Sequence, residues 1–170
     1  MPRAGRCLSN TRIAAGLAVA ALAWWGLMAA ASQAQDADGA AIIGRWLTES
    51  HDGVVGIIEI TRTAEGTYQG RIIGGNAPHR LDTHNPDPVL RQQILRGQVI
   101  VRGLRPEGEG RWAGGTIYDP DSGRTYQCRI EPLERDRLKV RGFIGLSLLG
   151  RNQTWTRYSG SSLDLPPAAP

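Results

Sequence analysis

The chain is poor in cysteine, in net charge and in long helical patterns, and each shortage excludes something. Cys7 and Cys128 are its two cysteines. Cys7 precedes the apolar run of the N-terminus, where no lipobox would place it. Cys128 is then alone in the mature chain and cannot close an internal disulfide. It sits in the alternating run Tyr126-Gln127-Cys128-Arg129-Ile130, which reads as a strand with Cys128 as a small core residue. Lysine occurs once, as Lys139. The basic excess is mostly a property of the first segment. Arg3, Arg6 and Arg12 leave with a leader that carries no acid. That takes the 20 Lys+Arg to 17 against 16 Asp+Glu, a balance of +1. A near-neutral domain has no electrostatic footprint for nucleic acid. The catalytic and metal signatures are missing too. There is no Gly-x-Ser-x-Gly elbow, and Ser147 lies in an apolar Gly145–Gly150 loop. His51, His79 and His84 are not at a zinc-ligand spacing. The turn Asp119-Pro120-Asp121-Ser122-Gly123 lacks the downstream bidentate Glu of a calcium loop. No catalytic residue, metal or cofactor is assigned, and the reading leans away from an enzyme without deciding the point.

What is present begins with a leader. A positive start, the uncharged run 13–31 and Ser32-Gln33-Ala34 match the three parts of a secretory signal peptide. Cleavage is expected after Ala34, giving a periplasmic or secreted protein with no membrane span after cleavage. The rival is a retained anchor. The run has 19 residues, near the length of a spanning helix, but alanine makes it only weakly apolar. The expected organisation is a signal peptide over 1–34, a disordered lead-in over 35–41, one domain over 42–158 and a disordered tail over 159–170. The tail is Ser, Gly, Pro and Ala with few large apolar groups to offset the entropy of ordering.

Within 42–158 the pattern is one of short β-rich runs bounded by turn residues. The runs are 42–48, 54–62, 67–73, 94–104, 111–118, 125–132, 138–144 and 153–158. They predict an all-β fold: a single antiparallel meander barrel of about eight strands, closed so that no sheet edge is left exposed. Gly56, Gly70, Gly114 and Gly142 fall inside these runs, as bulges or barrel corners would require. The exception is 74–89, a long polar loop rich in Gly, Asn, Asp and Pro with a helical turn near its end. Loops of that length in compact domains are often functional.

Gly44-Arg45-Trp46 near the first strand resembles the opening of lipocalin-type barrels, in which the Trp closes one end. Further motifs follow in order: Asp82-x-x-Asn85-Pro86-Asp87, Gly114-Gly115-x-Ile117-Tyr118-Asp119-Pro120, Ser122-Gly123-x-Thr125-Tyr126, Leu138-x-Val140-Arg141-Gly142, and Gly145-x-Ser147-Leu148-x-Gly150-Arg151-x-Gln153-Thr154-Trp155-Thr156-Arg157. Together they resemble the bacterial family called domain of unknown function 2147, over nearly the whole of 42–158. The resemblance implies an exported, lipocalin-like small β-barrel and supplies no activity.

The candidate ligand-binding residues are Trp46, Asp82, Asn85, Tyr118, Asp119, Tyr126, Arg141, Trp155 and Arg157. The aromatics suit either core packing or a ligand mouth. Asp82 and Asn85 suit turn capping or a polar contact. Arg141 or Arg157, if inward, needs a carboxylate, with Asp82 or Asp119 as the internal partner. Three functions compete. The first is a barrel that binds a small apolar or amphipathic ligand in the periplasm. The second is an envelope-maintenance module that docks a protein partner through Phe143, Ile144, Leu146, Leu148 and Leu149 and has a filled interior. The third, and weakest, is an enzyme built on the Asp82–Asn85 loop with Asp119.

Overall fold

The computed structural model describes residues 39–49, 53–145 and 150–166. The expected signal peptide and most of the lead-in lie outside them. Eight strands form one closed antiparallel barrel in meander order. They are β1 Gly44–Glu49, β2 Val55–Arg62, β3 Tyr68–Gly75, β4 Val99–Gly108, β5 Arg111–Asp119, β6 Arg124–Glu134, β7 Arg137–Phe143 and β8 Gly150–Arg157. β1 closes on β8 through Trp46↔Arg157 and Leu47↔Thr156. The long connection from β3 to β4 carries a short 3-10 turn, Pro88–Gln92. Asp87 caps it by accepting from the Val89 N–H, and Pro88 starts it, where a missing N–H costs nothing.

Side-chain alternation sorts the two faces. Trp46 and Thr48, Ile58 and Ile60, Cys128 and Ile130, Leu138 and Val140, and Gln153 and Trp155 each lie two residues apart and share the inward face. Several one-residue register shifts bend the sheet, and two of them fall at glycines. Tyr68 pairs with Leu104 and Gly70 with Val101, so β4 carries one extra residue, at Gly103. Trp112 pairs with Ile130 and Gly115 with Cys128, so β5 carries one extra, at Gly114. Gly103 has φ +71° and Gly114 φ +72°, the left-handed conformation such bulges favour and glycine adopts without strain. At the neighbouring Gly115 a Cβ would run into the Arg102 carbonyl and lie 2.7 Å from the Leu104 nitrogen, so the backbones of β4 and β5 meet there with no space for a side chain.

The core fills one end. Ile42, Trp46, Ile60, Tyr68, Leu104, Trp112, Ile130 and Leu138 are buried together. Tyr68 and Trp112 meet edge to face, with ring centroids 6.4 Å apart. The lead-in closes this end. Residues 39–43 turn under the barrel, and the Ile42 carbonyl accepts from the Trp46 indole N–H at 2.8 Å.

The tail departs from expectation. Over 159–166 it is placed against the barrel rather than disordered. The Leu163 carbonyl accepts from Gly75 N at 2.9 Å, and Leu165 N donates to the Gly75 carbonyl at 3.0 Å. The Arg96 guanidinium reaches Asp164 at 2.6 Å and the Leu163 carbonyl at 3.1 Å. Gly74 permits this approach, because a Cβ there would strike the Leu163 carbonyl. Composition predicted disorder because it counts apolar surface. The segment is held by backbone pairing and one ion pair instead, with only Leu163 and Leu165 half-buried.

Candidate functional site

The other end of the barrel is not filled. Ile42, Trp46 and Trp112 seal the floor, and above Trp155 the interior opens into a cavity of about 670 Å³. Its wall is apolar in the middle, with Ile58, Ile72, Ile100, Ile117 and Val140 contributed by β2, β3, β4, β5 and β7. Ile58, Ile72, Ile117 and Val140 are on the inward parity of their strands, and Ile100 joins them at the register shift where Gly70 pairs with Val101 and Arg71 with Val99, so the closed meander assembles the wall. Tyr118, Tyr126 and Trp155 add aromatic surface. The rim is polar. Arg80 from the long loop pairs with Asp121 of the β5–β6 turn at 2.6 Å, and Arg96 and Arg151 also border the opening. Most of the rim comes from connections, while the wall comes from strands, the usual division between positioning scaffold and recognition loops.

Four of the nine candidate residues line this cavity: Tyr118, Asp119, Tyr126 and Trp155. Asp119 is occupied as a turn cap. It accepts from Asp121 N at 3.1 Å and from the Ser122 hydroxyl at 2.7 Å. Tyr126 approaches the same Ser122 hydroxyl at 3.4 Å. The other five are elsewhere. Trp46 is buried in the closed end, with the Arg157 guanidinium 4.1 Å above its ring. Arg157 also donates to the carbonyls of Ile43 at 3.2 Å and Ala41 at 3.3 Å. Its carboxylate partner is Asp136, at 3.4 Å, and neither Asp82 nor Asp119. The expected pairing fails because β8 carries Arg157 to the sealed end, whereas Asp82 and Asp119 belong to the open one. Arg141 is on the outward face of β7, where its Nη1 meets Asn152 Oδ1 at 2.7 Å.

Asp82 is fully buried but does not line the cavity. Its Oδ1 accepts from the Tyr118 hydroxyl at 2.6 Å and its Oδ2 from Asn85 Nδ2 at 2.7 Å. Its N–H donates to the Gln93 carbonyl at 2.9 Å. This carboxylate ties the long loop to β5. Burial, then the hydrogen bond and charge of Asp82, push the Tyr118 hydroxyl well above the usual tyrosine range. Among the described residues no group of three or more His, Cys, Asp and Glu comes together as metal ligands would. Burial likewise pushes the Cys128 thiol up to about 12.

A family model described as "Uncharacterized protein conserved in bacteria (DUF2147)" matches residues 44–157, from the first strand to the last. The chain belongs to this family. This DUF2147 barrel is also similar to a solved structure, protein HP1028 from the human pathogen Helicobacter pylori, described as belonging to the lipocalin family. The two superpose with a TM-score of 0.63 at 24% identity, over 69% of this chain and 83% of that one. That likeness is one of fold: a closed eight-stranded meander of lipocalin type. No curated protein matches the chain.

Several lining residues of the DUF2147 barrel escaped the sequence reading, chiefly Thr48, Ile72, Ile100 and Gln153. The signal for two of them was parity. Thr48 is two residues beyond Trp46, and Gln153 two before Trp155, so each inward tryptophan marks its partner. The patch expected around Phe143 and Ile144 divides. Phe143 and Ile144 both border the cavity, Ile144 with 58% of its surface exposed, whereas residues 146–149 lie outside the described part.

Proposed function

We propose that this DUF2147 protein is an exported carrier or sensor domain whose barrel holds one small, largely apolar ligand. The observation that carries the reading is the cavity of about 670 Å³ above a sealed aromatic floor. Its volume is within the range of small-molecule sites, and its wall is mostly aliphatic and aromatic with a few polar groups. Core interiors otherwise pack near crystal density, and a packed module would have filled this space with side chains. The polar rim of Arg80, Asp121 and Arg151 suits an amphipathic molecule, apolar inside and polar at the mouth. A reaction centred on Asp82 has less support, since both carboxylate oxygens are already bonded and the group does not reach the cavity. The leader motif supports a periplasmic or extracellular setting for this activity.

Native mass spectrometry of the mature protein, purified from the exporting cell, tests the proposal. A bound mass released on denaturation is the expected result, and the protein mass reports cleavage after Ala34. If the protein is bare and fails to take up any added apolar compound, the proposal is wrong.

A further inference from the structure

The cavity contains one polar side chain at the depth of its apolar wall whose bonding is incomplete. Gln153 and Trp155 share the inward face of β8, and Thr48 stands on β1, which pairs with β8. The Trp155 indole N–H, a donor with no acceptor capacity, is 3.2 Å from Gln153 Oε1. The Thr48 hydroxyl approaches the same oxygen at 3.4 Å. Trp155 thereby fixes which way the amide is turned: its oxygen must face the indole, so its nitrogen faces away. The Gln153 amide nitrogen, with two N–H donors, meets no acceptor among the described residues. Gln153 lines the cavity, and its strand partner Val140 is apolar. The charged lining residues belong to the rim: Arg80 is paired with Asp121, Arg96 with Asp164, Asp119 caps the β5–β6 turn, and Arg151 is exposed one residue below the start of β8. An anion at the level of Gln153 would be desolvated against Ile58, Val140 and Trp155, and the nearest lining cation, Arg151, stands one step nearer the mouth and is exposed, so it draws a charged group towards the rim. A neutral acceptor fits, because it satisfies the amide at little desolvation cost.

We infer that Gln153 is the specificity-determining donor of the cavity: its amide N–H takes a neutral oxygen acceptor, a carbonyl or ether, carried on the leading end of an otherwise apolar ligand. This rests on the ligand-binding reading and adds the ligand's chemical class and direction of entry. The ligand enters acceptor first, and any charged group it has stays at the arginine-rich rim. The amide is held ready by Trp155 and Thr48, so little side-chain entropy is lost on binding.

The test uses a matched pair of probes, 2-acetylnaphthalene and 2-ethylnaphthalene, which differ by one carbonyl oxygen. Equilibrium dialysis against the mature protein gives the affinity of each, for the wild type and for Gln153→Leu. The ketone-to-hydrocarbon affinity ratio is expected to fall about tenfold in the variant, the effect of one buried neutral hydrogen bond. Hydrocarbon binding should be retained. Gln153→Glu, measured at mildly alkaline pH so that its carboxylate is ionised, is the second variant: it keeps an oxygen for Trp155 and Thr48 but has no donor, and the ratio should fall there too. A merely structural role for Gln153 would weaken both probes alike and leave the ratio unchanged, which overturns the inference while ligand binding stands. If neither probe binds the wild type, the ligand-binding reading fails and the inference with it.

Discussion

Asp82 offers the sharpest test of how the rim of the barrel is held. It is 0% exposed and accepts two short hydrogen bonds, from Tyr118 and Asn85. Hydrogen bonds to a charged group contribute about 1.5–3 kcal/mol each, and removing one partner leaves the other buried and unsatisfied. Asp82→Ala is therefore expected to cost about 3–5 kcal/mol, a large part of the stability of a domain this size. Tyr118→Phe removes one of the two bonds and should cost about 1.5–3 kcal/mol. Asp82→Asn is informative because it is isosteric. Its new Nδ2 faces the Asn85 amide nitrogen, and Asn85 cannot rotate to help, since its Oδ1 already accepts from Asp87 N at 2.9 Å. Urea unfolding gives the three stabilities, and the Asp82→Ala/Tyr118→Phe double mutant gives their coupling. The loop that Asp82 anchors supplies Ala77, Pro78, Arg80, Leu95 and Arg96 to the cavity border. Amide exchange over 76–98 should accordingly quicken in Asp82→Ala. An Asp82→Ala protein within about 0.5 kcal/mol of wild type, with additive double-mutant energies, would refute this account.

Stability should fall at alkaline pH. The Cys128 thiol moves from 9.0 to about 12 on folding, so the folded state holds the proton more tightly. Its contribution is complete below pH 9 and is lost as pH rises from 9 towards 12, by up to roughly 4 kcal/mol. The raised Tyr118 hydroxyl acts in the same direction above its ordinary pKa. Cys128→Ala should flatten the decline between pH 9 and 10 in denaturant melts, and the wild-type thiol should react with a disulfide reagent only after unfolding. Arg157→Leu removes the cation above Trp46 and the donors to the Ala41 and Ile43 carbonyls; a thermal melt should show a loss of about 2 kcal/mol, with Arg157→Lys recovering only a small part. Truncation after Tyr158 deletes the Leu163–Leu165 pairing with Gly75 and the Asp164 ion pair, and should cost roughly 1–3 kcal/mol in urea melts without unfolding the barrel.

The barrel was legible because its signals are local and periodic. Alternation around Trp46, Cys128 and Trp155 identifies inward faces, and the turn residues between runs set the hairpins. The predicted fourth strand began early, at 94, whereas β4 starts at Val99; the bridge Leu81↔Ile94 and the Leu95 and Gln98 hydrogen bonds belong to the loop. Residue chemistry alone misled for Arg141 and Arg157. Their charge suggested a ligand or a buried carboxylate, yet one faces outward and the other stacks on the closing tryptophan. Only the position of each strand end in three dimensions decides that. Gln153 was passed over because glutamine has no titratable group to draw notice. Its interest arises from Trp155 occupying its oxygen, a side-chain contact that alternation along β8 puts on one face but does not itself reveal.

If the upper barrel is a ligand cavity, saturable binding should disappear when the cavity is plugged. Ile72 lines the cavity from β3, and Ile72→Trp places added ring volume there. Titration of 1-anilinonaphthalene-8-sulfonate into wild type and Ile72→Trp, each checked by thermal melt, provides the comparison. The account predicts one saturable site in the wild type, lost or weakened at least tenfold in a folded Ile72→Trp. Equal binding by both folded proteins would place the dye outside the barrel and contradict the claim.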